Sequence, residues 1–98
     1  MNQEYFLLLS EQAKEDLLDI WQYIAIDSIE SADSFVDFIY ENCKKLSSYP
    51  EIGRKRDELI PGIRYLPIKR YLVFYRIKEK NVEVVRIISA YRDLDLLF

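Results

Sequence analysis

Residues 50–75 read PEIGRKRDELIPGIRYLPIKRYLVFY, and this stretch decides the fold. A polar loop punctuated by Pro50, Gly53, Pro61 and Gly62 carries Arg54-Lys55-Arg56. Two apolar runs follow, Ile63–Ile68 and Tyr71–Ile77, separated only by Lys69-Arg70. Runs rich in β-branched and aromatic residues with so short a connection predict an antiparallel hairpin. Pro67 marks an edge or a bulge, because proline donates nothing to a ladder. Downstream, Lys78–Asn81 is a second hairpin turn and Val82–Ala90 a last long strand.

Upstream, Tyr5–Leu9 is a short apolar run that stops at Ser10, which fits a buried strand followed by a helix N-cap. Ala13, Leu17, Ile20, Trp21 and Ile24 recur at helical spacing, and this helix is expected to end near Ile26. Ser28 caps a second helix with Ala32, Phe35, Val36, Ile39, Cys43 and Leu46 on its apolar stripe. Lys44 and Lys45 complement the dipole of its last turn, and Ser47-Ser48-Tyr49-Pro50 ends it. So short a link folds the helices back as an antiparallel hairpin. The order β-α-α-β-β-β predicts an α+β domain over residues 1–98. The helical hairpin packs on one face of a small, mainly antiparallel sheet, and the first strand pairs with an edge of the three-stranded meander.

The net charge of −3 over 98 residues hides a split. Residues 1–53 hold three basic side chains, Lys14, Lys44 and Lys45, against eleven acidic ones; residues 54–98 hold eleven basic and six acidic. An acidic front and a basic back describe a bipolar surface. Cys43 is the single cysteine, so no internal disulfide forms, and a reducing cytoplasm fits. Cys43 and Trp21 read as core residues. No signal-peptide pattern or membrane-length apolar run is present. The chain has no histidine, the commonest general acid–base residue and metal ligand. No metal or cofactor is expected.

Two-residue turns in both hairpins would set Ile77 opposite Val82, Tyr75 opposite Val84 and Val73 opposite Arg86. They would also set Leu66 opposite Val73 and Arg64 opposite Tyr75. Arg64, Tyr75 and Arg86 then share a sheet face, and Arg76 meets Glu83 on the other. Two arginines and a phenol on one face suit a phosphate or carboxylate. The alternative is that each arginine pairs with an acidic side chain or lays its stem on apolar neighbours. Arg54-Lys55-Arg56, followed by Asp57-Glu58, is either a solvated run or part of the same cationic site.

The order of these pieces resembles the ParE/RelE superfamily of bacterial type II toxins, closest to the ParE branch. The likeness is carried by Ala13…Asp16-Leu17…Ile20…Tyr23-Ile24, Ala32…Phe35, and Leu46…Tyr49-Pro50…Gly53-Arg54…Asp57-Glu58-Leu59. It continues through Pro61-Gly62-Ile63-Arg64, Tyr71–Arg76, Val84-Val85-Arg86-Ile87 and Tyr91-Arg92-Asp93. The resemblance implies a small cytoplasmic growth inhibitor encoded with an antitoxin. It acts either by poisoning DNA gyrase, as ParE-like members do, or by cutting messenger RNA on the ribosome, as RelE-like members do. A third possibility is an interaction module without toxicity.

For RNA cleavage the resemblance supplies Arg64, Arg86, Tyr91 and Lys55. Ser89 stands where many relatives carry histidine, and a net negative chain is poorly suited to ribosomal RNA. Gyrase inhibition by binding needs no catalytic group and is the favoured expectation, with Arg54, Lys55, Arg56, Arg64, Tyr75, Arg86 and Arg92 as target contacts. The cognate antitoxin is expected on the apolar sheet side through Val73, Tyr75, Val84 and Ile88, shared with Leu96, Leu97 and Phe98. A homodimer, or a heterotetramer with the antitoxin, is the expected assembly.

Overall fold

The computed structural model describes residues 5–91. Strand β1 (Phe6–Leu9) leads into helix α1 (Glu11–Ala25) and helix α2 (Ile29–Ser48). The two-residue strand β2 (Arg54–Lys55) follows, then β3 (Ile63–Ile68), β4 (Tyr71–Lys78) and β5 (Asn81–Ser89). One sheet holds all five strands in the order β1-β5-β4-β3-β2. β1 runs parallel to β5, and every other pairing is antiparallel. The expected α+β architecture is present, with β2 as an addition, since two charged residues after a glycine carry no apolar strand signal.

Both expected helix caps form. Ser10 Oγ accepts from the Ala13 amide at 3.0 Å and Ser28 Oγ from the Ser31 amide at 3.1 Å. The helices bury Ala13, Ile20, Ile39, Cys43 and Leu46 against Ile68, Val73, Tyr75, Val82, Val84 and Ile87 of the sheet. Trp21 is only half-buried, and its indole N–H crosses the helical hairpin to Asp33 Oδ1 at 2.8 Å. The outer sheet face is not bare. Ile63, Phe74 and Ile88 form a second cluster there, packed by Leu59 and Ile60 of the 56–62 loop and by Tyr65, Leu72 and Val85. Gly62, at φ 81°, turns that loop into β3, and its amide bonds Asp57 Oδ1 at 2.8 Å.

The β3–β4 register matches expectation throughout, including Arg64 opposite Tyr75 and Leu66 opposite Val73. Arg76 bonds Glu83 at 2.7 Å across β4–β5, also as expected. The β4–β5 register departs from it. Tyr75 faces Val84, but Phe74 faces Arg86 and Val73 faces Ile87, so Val85 is an extra residue in β5. This bulge corrects the expected Arg64–Tyr75–Arg86 cluster, since everything beyond it moves one position and changes face. Ile87 enters the helix-facing core, and Ile88 goes to the outer face.

The cause lies in strand lengths. β1 pairs with β5 only as far as Val84, so the rest of that β5 edge has lost its strand partner. The start of α1 replaces it. The Ser10 amide donates to Val84 O at 2.9 Å, and Ser10 Oγ donates to Val85 O at 2.8 Å. Asp16, 7% exposed, accepts from the Ile87 amide at 2.9 Å. It also accepts from Arg86 Nε at 2.9 Å and Arg86 Nη2 at 3.0 Å. Asp16 thus answers a backbone donor and a guanidinium together, and its hydrogen bond raises the Arg86 pKa further above the usual arginine value. Burial of this carboxylate is satisfied, not strained.

Asp16→Ala strands both the Ile87 amide and the Arg86 charge, so urea unfolding should show a loss of about 2–4 kcal/mol. Leu18→Ala, on the exposed side of the same helix, should cost under about 1 kcal/mol. Cys43 is 1% exposed, and burial pushes its thiol up to about 12. A thiol-specific dye at about pH 8 should therefore label the unfolded chain at once and the native chain only as fast as it opens.

Candidate target-binding site

The basic stretch 54–56 is held by two side chains from the middle of the sheet. Tyr75 is fully buried, and its hydroxyl accepts from the Gly53 amide at 2.7 Å while donating to Pro50 O at 2.8 Å. Beside it, one Arg64 terminal nitrogen (Nη1) donates to Glu51 O at 3.1 Å and Gly53 O at 2.9 Å. Four side-chain bonds thus fix backbone 50–53, where no regular element supplies them. Burial raises the Tyr75 pKa, with the Gly53 amide opposing, so the phenol stays protonated and serves as donor and acceptor at once. Gly53 is required by space: a Cβ there would lie 2.5 Å from the Tyr75 hydroxyl and 2.8 Å from Tyr65 O.

Beyond this clamp the chain enters β2. Arg54 pairs with Tyr65 and Lys55 with Arg64. Both side chains are exposed, and neither makes an ion pair among the described residues. Arg56 behaves differently. It bonds Glu58, whose pKa is lowered chiefly by that hydrogen bond, and its guanidinium lies 5.9 Å from the Tyr65 ring centre. Tyr65 in turn meets Phe74 at 5.9 Å between ring centres.

The expected site residues therefore separate. Arg54, Lys55 and Arg56 stand together at the β2 edge. Arg64 and Tyr75 lie behind them as the clamp, with the Tyr75 hydroxyl and one Arg64 terminal nitrogen engaged. Arg86 is bound to Asp16 and lines a different cavity of about 520 Å³ with Asp19, Tyr23, Arg70, Tyr71 and Tyr91. Arg92 lies outside the described residues. The set Arg64, Arg86, Tyr91 and Lys55 is not brought together: Lys55 neighbours Arg64, while Arg86 and Tyr91 line the other cavity.

The expected antitoxin surface needs the same correction. Val73, Tyr75 and Val84 are fully buried under the helices, and Ile88 is 5% exposed on the outer face. Leu96, Leu97 and Phe98 lie outside the described residues. The large apolar side chains left exposed on β1 are Phe6 and Leu8. Sequence reasoning also missed Asp16, although an acidic residue at the buried spacing between Ala13 and Ile20 was the available signal.

The clamp makes distinct demands on its parts. Tyr75→Phe keeps the ring and deletes the hydroxyl. It should cost about 1–3 kcal/mol and speed exchange of the Gly53 amide. Gly53→Ala forces either Tyr75 or the β3 backbone to move and should cost about 2–4 kcal/mol in urea unfolding, with Glu51→Ala near neutral as the control.

Residues 7–94 match the family model described as "ParE toxin of type II toxin-antitoxin system, parDE". Toxin ParE1 of Caulobacter vibrioides is 30% identical over 81 residues, which cover 82% of this chain and 83% of that protein. Toxin ParE3 of the same organism is 36% identical over 50 residues, which span 51% of this chain and 50% of that relative. Among solved structures, a chain of the chromosomal ParDE toxin–antitoxin system from P. aeruginosa superposes with a TM-score of 0.76 at 27% identity. It covers 89% of this chain and 97% of that one. A chain of the RelBE2 toxin–antitoxin complex from Mycobacterium tuberculosis shares the fold, with a TM-score of 0.60 at 20% identity over 88% and 98% of the two chains. With the sheet order, the helical hairpin and a family match from residue 7 to residue 94, the chain belongs to the ParE toxin family of type II toxin–antitoxin systems.

Proposed function

We propose that this chain inhibits growth by binding DNA gyrase and that a cognate antitoxin neutralises it. The observation that carries this reading is the commitment of the two strand arginines. A ribonuclease of this fold needs free cationic and acid–base groups around one scissile phosphate. Here one terminal nitrogen of Arg64 is held by backbone carbonyls, and Arg86 is ion-paired with Asp16. A toxin that acts by occupying a surface has no such requirement, and the basic edge Arg54–Lys55 is the surface it presents. Family membership supports the same choice, and so does the likeness to a chain from a ParDE system.

The antitoxin is proposed on the outer sheet face, from exposed Phe6 and Leu8 on β1 across half-buried Val85 and Leu72. Coupled folding of a partner segment onto such a strip fits its mixed exposure. No helix among the described residues is long and apolar enough to cross a membrane, and gyrase places the proposed action in the cytoplasm.

Purified chain added to a gyrase assay should abolish supercoiling and accumulate cleaved DNA, and the antitoxin should reverse both effects. Intact supercoiling, together with messenger RNA cleavage in a translating extract, would reject the proposal.

A further inference from the structure

The β2 edge lies beside a concavity of about 360 Å³ lined by Ile52, Gly53, Arg54, Tyr65, Leu66 and Pro67. Its walls are an aromatic ring, a proline ring and aliphatic side chains, with a guanidinium at the rim. β2 pairs only with Arg64 and Tyr65, so β3 has no β2 partner at Leu66 and Pro67. Arg54 and Tyr65 are register partners, so their side chains share the outer face of the sheet. Lys55, the register partner of Arg64, is exposed on the other side of the same edge, and Arg56 stands over Tyr65 on the outer side. The Tyr75–Arg64 clamp fixes the backbone that carries this group.

We propose that this edge is a binding site for a short single-stranded nucleic-acid segment. One base enters the concavity against Tyr65 and Pro67, and as the strand crosses the edge one flanking phosphate meets Arg54 on the outer side and the next meets Lys55 on the other. Three observations favour this occupant over an acidic protein segment. The cations border a hollow with an aromatic residue in its lining and room to admit a base, the combination that single-strand binders use. The two outermost cations have no ion-pair partner among the described residues, so no internal bond must break first. The acidic helices α1 and α2, which would repel phosphate, lie on the opposite face of the sheet, where they cover Val73, Tyr75 and Val84. Arg54, Tyr65 and the concavity beside them therefore stand on the face that the acidic helices do not cover.

The test uses the full chain without gyrase, so its failure leaves the gyrase proposal standing, and failure of the supercoiling assay leaves this site standing. Fluorescence anisotropy is measured with labelled single-stranded DNA and RNA of about 15 nucleotides and with a duplex, between about 50 and 200 mM salt. Binding should favour the single strands, and the DNA-to-RNA ratio identifies the natural source. The logarithmic salt slope should be about −0.7 per phosphate contacted, hence roughly −1.4 for two. Arg54→Glu with Lys55→Glu should weaken binding at least about tenfold and flatten that slope. Tyr65→Leu should weaken it about five- to tenfold with the slope unchanged. Circular dichroism confirms folding of each variant, and Tyr65→Phe, which keeps the ring, should bind nearly as wild type. No binding to any oligonucleotide at low salt overturns the proposal. So does preference for the duplex, unchanged affinity after the double charge reversal, or displacement by an acidic polypeptide as effective as by unlabelled strand.

Discussion

β5 is longer than the strand beside it, and much of the molecule follows from how that mismatch is closed. β1 covers β5 only to Val84, which leaves the Val85 carbonyl and the Ile87 amide on an open edge. Buried backbone groups without partners are costly, so something must meet them. The first two turns of α1 do so through Ser10 and Asp16. The bulge at Val85 lets a helix take over where a strand stops. It also sends Ile87 inward and Ile88 outward, and it ties Arg86 to Asp16. One junction thereby sets the position of α1, the composition of both sheet faces and the ion pair of Arg86.

A second device works at the other end of the sheet. Tyr75 reaches from β4 to the backbone of the 50–53 loop, and Arg64 joins it from β3. Both residues look like site residues in the sequence because they are polar and lie on apolar strands. Their polar atoms point at main-chain groups instead. What they present is the next stretch of chain, where Arg54 and Lys55 stand exposed on a two-residue edge strand. With rigid scaffolding behind and exposed charge in front, the side chains at this edge need little further ordering to meet a partner.

The sequence carried the fold well and the site less well, for a physical reason. Helix periodicity, the Ser10 and Ser28 caps, Lys69-Arg70 and the Arg76–Glu83 pair are local signals, and each appears where its local chemistry places it. The β3–β4 register was also readable, because a two-residue turn fixes it. The β4–β5 register was not. It depends on where β1 ends and on which helix residue meets the orphaned edge, and both are long-range facts with no trace in the hairpin itself. Arg86 and Ile88 were misassigned for that one reason. Gly53 shows the converse case. Its place in the sequence was plain, but its role follows only once Tyr75 is seen against it.

α1, through Asp16, serves as the missing neighbour of β5 and holds Arg86 in an ion pair. Amide hydrogen exchange followed by NMR reads this most directly at Ile87. The Ile87 amide should exchange as slowly as amides in the fully paired β4–β5 ladder and become fast in Asp16→Ala while the rest of the ladder stays protected. An Ile87 amide that exchanges in the native chain like one in an exposed loop would contradict it.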